Sequence, residues 1–202
     1  MLFEELKNAA GILLAVLVVT GAATGQDSAA GIKAGPMLCI SGDQETSSIY
    51  NPSNLFGLKV GLFYARKISP VFTLQPEVHL ALKGSGYYSV VTRHEESVHF
   101  NYLEIPLLVN ARLAGDMLEL FAGPYGAFLL SHTPLDEEHD WTWEENELKG
   151  YDFGACVGVR AWWRDVSLEL QFLRGFINVL PSYNRSHYNT AVVFQVGYRL
   201  IK

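Results

Sequence analysis

Between Phe72 and Gly84 the chain reads FTLQPEVHLALKG, and its side chains change character with a period of two. Phe72, Leu74, Pro76, Val78, Leu80 and Leu82 fall on one parity. Thr73, Gln75, Glu77, His79 and Lys83 fall on the other, broken only by Ala81. That is a strand with one apolar and one polar face. The apolar face carries no charge from end to end, so it packs either on the core of a soluble sandwich or against lipid.

Comparable segments recur at 31–40, 55–66, 71–84, 98–113, 117–130, 150–163, 166–177 and 190–200, about eight strands with no helical pattern among them. Between the strands, short connections (KISP, AGD and RD) alternate with long ones at 41–54, 85–97, 131–149 and 178–189. In an up-and-down meander this gathers the short turns at one end and the long loops at the other, as in outer-membrane barrels with short periplasmic turns and long outward loops. The chain is 49% hydrophobic and 18% charged, yet no apolar run is long enough to cross a bilayer as a helix. These observations predict an all-β fold, a closed antiparallel up-and-down transmembrane β-barrel of about eight strands. An even strand count puts both termini on the turn side, which is the periplasm.

On this reading the apolar parity meets lipid and the other parity faces inward. The inward set is rich in Gly and Ala, with Lys33, Lys59, Lys83, Arg160 and Arg199 set against Glu77, Glu104, Glu119 and Glu169. A barrel of this size is filled by its own side chains, and buried ions have to be paired. A plugged lumen with a charge network is therefore expected. A one-residue register slip in the fifth strand would turn Glu119 outward. Trp162, Trp163, Tyr64, Tyr87, Tyr88, Phe100 and Tyr102 lie near strand ends, where aromatic girdles belong. Pro36, Pro76, Pro106 and Pro124 fall inside strands, where bulges or extension above the membrane are expected.

The run GILLAVLVV (11–19) followed by small residues resembles a signal peptide, giving a leader over 1–25 and one barrel domain over 26–202. Cys39 and Cys156 show no metal-ligand spacing and, on strands that are not neighbours, read as inward-facing free thiols. The net charge of −6 argues against nucleic acid. No cofactor and no structural metal is expected.

GIKAGP, FTLQPEVHLALKGSG, YLEIPLLV, AGPYGAFLL, YDFGACVGV and the closing FQVGYRL together resemble the PorT-like family of outer-membrane β-barrel proteins, in the family's order and across the mature chain. The LQPE and YLEIPLL segments are the most specific part. The resemblance implies an outer-membrane barrel of a diderm bacterium, embedded in lipid, with possible protein partners in a secretion or envelope complex.

The leading functional expectation is a non-enzymatic barrel, structural or acting through its loops. A lipid-modifying enzyme is the alternative from another class, with Ser85, Ser89, His94, His99, Glu95 and Glu96 as the nearest candidates but no recognisable motif. A soluble lipocalin-like carrier is a third. The acidic loop at 135–150 holds Asp136, Glu137, Glu138, Asp140, Glu144, Glu145 and Glu147, a set that could attract a hard cation, although a solvated loop is the simpler reading. Its Trp141 and Trp143 are candidates for contact with a partner or the membrane interface.

Overall fold

The structure is a computed structural model that describes residues 28–40, 50–89, 95–113, 117–133, 149–179 and 188–201. Among the described residues nine strands are seen: β1 (Ser28–Cys39), β2 (Tyr50–Ser53), β3 (Leu55–Lys67), β4 (Phe72–Ser89), β5 (Glu95–Arg112), β6 (Leu118–Thr133), β7 (Tyr151–Trp163), β8 (Val166–Gly175) and β9 (Thr190–Ile201). All pairings are antiparallel. β1 pairs with both β3 and β9, and β4 pairs with β5, so the sheet returns on itself as a closed barrel of eight long strands. The short β2 continues the line of β3 past a break at Asn54 and pairs with Gly86–Ser89 of β4.

The alternation read from the sequence is the alternation of exposure. Phe56, Leu58, Val60 and Leu62 of β3 are exposed on the outside, as are Val166, Leu168, Leu170 and Phe172 of β8. The polar parity, including Lys59, Ser167, Glu169 and Gln171, is buried within. Apolar side chains outside and charged ones inside invert the pattern of a soluble protein, and lipid is the solvent in which that inversion is stable.

Three features differ from the sequence reading, the first being that β2 lies within 41–54, expected to be a long loop. The segment 85–97 was expected to be a long loop, but β4 and β5 run into it, with Ser85 opposite Val98 and Tyr88 opposite Glu95. Only 90–94 falls between the two strands, outside the described residues. Continued hairpin pairing satisfies the backbone, and aromatic side chains such as Tyr87 and Tyr88 favour strands. The strict alternation of short and long connections is weakened accordingly.

The prolines also behave differently. No register shift occurs at any of them. In the β4–β5 ladder pairing lapses between Pro76↔Leu107 and His79↔Glu104, and in the β5–β6 ladder between Pro106↔Tyr125 and Val109↔Ala122, beside Pro124. Pro36 is flanked by a like gap against β9. The ladder resumes in the same register each time. Proline lacks an N–H, which interrupts pairing locally, but the in/out pattern on either side allows only one register. The register shifts lie elsewhere, at Ala30/Gly31 and Asn101/Tyr102.

Small residues inside make room for large neighbours. A Cβ on Gly158 would lie 2.3 Å from Cζ of Phe121, its cross-strand partner, and one on Gly61 would lie 2.5 Å from Nδ1 of His79. The β7–β8 turn is made by Arg164 and Asp165 alone. Arg164 takes φ 58°, the left-handed conformation that suits the twist of a two-residue hairpin.

An arginine at Val60, midway along the exposed face of β3, should cost about 2–4 kcal/mol of folding stability in lipid vesicles, the range for a cation at bilayer mid-depth. Gly158→Leu should cost about 1–3 kcal/mol by overpacking against Phe121. Urea unfolding in vesicles measures both.

Candidate functional site: an ion-paired barrel interior

Each inward charge is presented by strand alternation. Lys33 comes from β1, Lys59 from β3, and Glu77, His79 and Lys83 from β4. Glu104 comes from β5, Glu119 from β6, Asp152 and Arg160 from β7, and Glu169 from β8. Arg160, Lys59, Glu77, His79 and Glu104 are fully buried (0% exposed), so bulk solvent does not screen their charges. An isolated ion so placed is destabilising by several kcal/mol and has to be met by opposite charge and hydrogen bonds.

They are met in two connected groups. In the half nearer the short turns, Lys33 Nζ donates to Glu77 Oε1 at 2.5 Å and to Glu169 Oε2 at 2.8 Å. Arg160 donates from Nε to Glu169 Oε2 at 2.7 Å and from Nη1 to Glu119 Oε2 at 2.9 Å. The same Nη1 lies 3.1 Å from Gln75 Oε1, which also accepts from Asn110 Nδ2 at 2.7 Å. His79 Nε2 is 2.7 Å from Glu77 Oε2. Above this, Lys59 pairs with Glu104 and donates to Gln171 at 3.2 Å, while Lys83 Nζ lies 2.7 Å from the other oxygen of Glu104. Each group draws on strands from different sides of the barrel, so the network ties the wall together across its lumen.

Aromatic faces cover the remaining flanks of the cations. Arg160 lies 4.9 Å from the Phe121 ring centroid, Lys33 5.5 Å from Phe63, and Lys83 4.9 Å from Tyr125. Towards the long-loop end an apolar cluster takes over, with Met37, Phe100, Tyr102, Leu173 and Val193. Asp152 sits there too, accepting from Tyr125 Oη at 3.0 Å and from Asn189 Nδ2 at 2.8 Å. Cys39 and Cys156 are buried free thiols.

Of the inward charges named from the sequence, Lys33, Lys59, Glu77, Lys83, Glu104, Arg160 and Glu169 all join these two groups. Arg199 stands apart at the turn end, its guanidinium 4.1 Å from the ring centroid of Trp162. Glu119 faces inward. Asp152 was missed, although it shares parity with Arg160 in YDFGACVGVR and could have been found on that basis. Gln75, His79, Asn110 and Gln171 were visible as polar inward positions, but their part in joining the charges needs the three-dimensional register.

The expected aromatic girdles need correction. Trp162, Phe100 and Tyr102 are buried inside, as alternation from Arg160 and Glu104 requires. Tyr64 is buried beside Phe63 where the β3–β4 ladder lapses, between Phe63↔Glu77 and Arg66↔Leu74. Trp163 does face outward, at 74% exposure. The side chains of Tyr87 and Tyr88, the acidic loop with Trp141 and Trp143, His94 and residues 1–25 lie outside the described residues.

Truncating Arg160 to Ala should cost about 3–5 kcal/mol, because Glu169 and Glu119 would be left buried with too little positive charge. A double-mutant cycle of Arg160→Ala with Glu169→Ala should return a coupling of about 0.5–3 kcal/mol. Both are read from urea midpoints in vesicles.

Comparison with known proteins agrees with this geometry. Residues 24–180 match the family described as outer membrane protein beta-barrel domain. Among solved structures, neisserial surface protein A aligns over 88% of this chain and 100% of its own, at TM-score 0.51 and 9% identity, which speaks to the fold alone. Ail of Yersinia pestis, solved with the heparin analogue sucrose octasulfate, covers 87% and 100% at TM-score 0.47 and 10% identity. Outer membrane protein W of E. coli covers 88% and 100% at TM-score 0.43 and 14% identity. Comparison with curated protein sequences returns no match. With most of its length matched to that family and its strands closed into an eight-stranded barrel, the chain belongs to the outer membrane protein beta-barrel domain family.

Proposed function

We propose that this outer-membrane barrel is a non-enzymatic, non-conducting support whose outward loops carry its interactions. The observation behind this reading is the buried Lys33–Glu77–Glu169–Arg160 network, which spans the lumen with mutually bonded side chains. An open aqueous pore would need those charges solvated and separated.

The finer placement within the PorT-like family, and with it a role beside a secretion or envelope complex, rests on the quoted motifs. In this reading residues 1–25 are a cleaved leader and both mature termini are periplasmic. The paths of the first and last strands support a common end for the termini. Ser28 opens β1 opposite Arg66, and the Arg199 amide near the close of β9 donates to the Asp165 carbonyl in a short turn at 2.8 Å.

Planar-bilayer recordings of the purified protein should give no porin-scale conductance, and a steady open-pore current would overturn the plugged reading. An epitope inserted at Gly115 should stay silent on intact cells, while one inside 131–149 should be accessible; the reverse pattern would invert the topology. Mild detergent solubilisation followed by affinity capture should bring down envelope proteins, and recovery of the barrel alone would remove the secretion link.

A further inference from the structure

Exposed cations stand at the turn end of the barrel, with Lys67 on the inward parity, opposite Thr73. Arg66 and Lys67 close β3, and Arg164 occupies the β7–β8 turn, all three with exposed side chains. Arg66 shares parity with Leu58, Val60 and Leu62, the exposed apolar row of the same strand. The guanidinium of Arg164 lies 5.7 Å from the ring centroid of Trp163, which faces outward at 74% exposure. Asp165 shares that turn, and Glu119 and Glu169, the described acids next nearest this end, are already bonded to Arg160.

Exposed apolar side chains stand at the same level. Ile68 and Val71 form the β3–β4 turn, Met117 precedes β6, and Leu200 ends the apolar row of β9. On β9 the apolar row runs unbroken from Phe194 through Val196 and Tyr198 to Leu200, so hydrocarbon reaches the turn end there. The cations at this end therefore lie where acyl chains give way to headgroups. Tryptophan prefers that depth, and basic residues there are attracted to anionic lipid. The charges are spread over separate hairpins around the rim, as a continuous lipid annulus requires and a compact protein epitope does not.

We propose that the turn end of the barrel holds anionic phospholipid, with Arg66 and Arg164 binding headgroup phosphates and Trp163 lying against the glycerol region. The assignment rests on the chain being a membrane barrel but not on which side the turns face, because a vesicle or nanodisc presents the same lipid on both.

The test is native mass spectrometry of the protein released from nanodiscs of equal phosphatidylglycerol and phosphatidylcholine. The wild type should retain phosphatidylglycerol in preference. Each basic residue at an anionic surface is worth about fivefold, so R66Q/R164Q should lower the retention ratio at least about tenfold. K149Q, near the opposite end, should leave it unchanged. Heat-shift electrophoresis reports whether each variant is folded. Should the double variant fail to fold, R164Q alone and a salt series on the wild type carry the test. Raising salt from about 0.1 M to about 1 M shortens screening from about 10 Å to about 3 Å and should abolish the preference. Equal retention of the two lipids, a ratio indifferent to the variants and to salt, or full competition by free glycerol phosphate would each overturn the proposal. A conducting pore or inverted topology would leave it standing.

Discussion

Hydrocarbon supplies no hydrogen bonds, so every amide in the wall of this barrel has to find its partner on a neighbouring strand, and the sheet has to close. From that follow the long strands, the pairing of β1 with β9 and the exposed rows of Leu, Val and Phe. It also explains why the proline gaps leave the register intact. A slip of one residue would send Glu77 or Arg160 into lipid along with every second neighbour. A missing hydrogen bond or two in the ladder is the smaller penalty.

The interior obeys the complementary rule. Having turned its charged parity away from lipid, the chain has to satisfy those charges in a space with no bulk water. It does so by letting one group serve several: Glu77 meets Lys33, Gln75 and His79, while Arg160 spans Glu169, Glu119 and Gln75. Glycines opposite rings, as at Gly158 and Phe121, provide the volume that such long side chains need. Packing and electrostatics are thus one problem here, because a side chain that filled the lumen without bonding would strand its neighbours' charges.

Alternation made the barrel and its inward charges legible in advance, since period two is a property of the backbone and holds wherever the strand runs. The girdle errors at Trp162, Phe100 and Tyr102 came where parity was set aside. Trp162 and Tyr102 were assigned to girdles by their nearness to strand ends, yet each shares parity with an inward charge, Arg160 or Glu104. The extension of β4 and β5 was hidden because Ser85, Gly86 and Ser89 read as loop residues, whereas pairing between two long neighbours carries such residues along. Which carboxylate meets which cation was not legible at all. Lys33 reaches Glu77 and Glu169 through strand tilt and stagger, quantities that no single segment records.

Lys33 also bears on how the molecule comes to exist. Its two carboxylate partners stand 44 and 136 positions further along the chain. Until β8 has been delivered beside the early strands, the ammonium of β1 is only half neutralised, and a partly assembled sheet would expose it to the membrane. Contacts this distant in sequence make folding slow, because loop closure comes before its reward. They also make partial insertion unprofitable, so the lumen ties entry into the bilayer to closure of the whole ring.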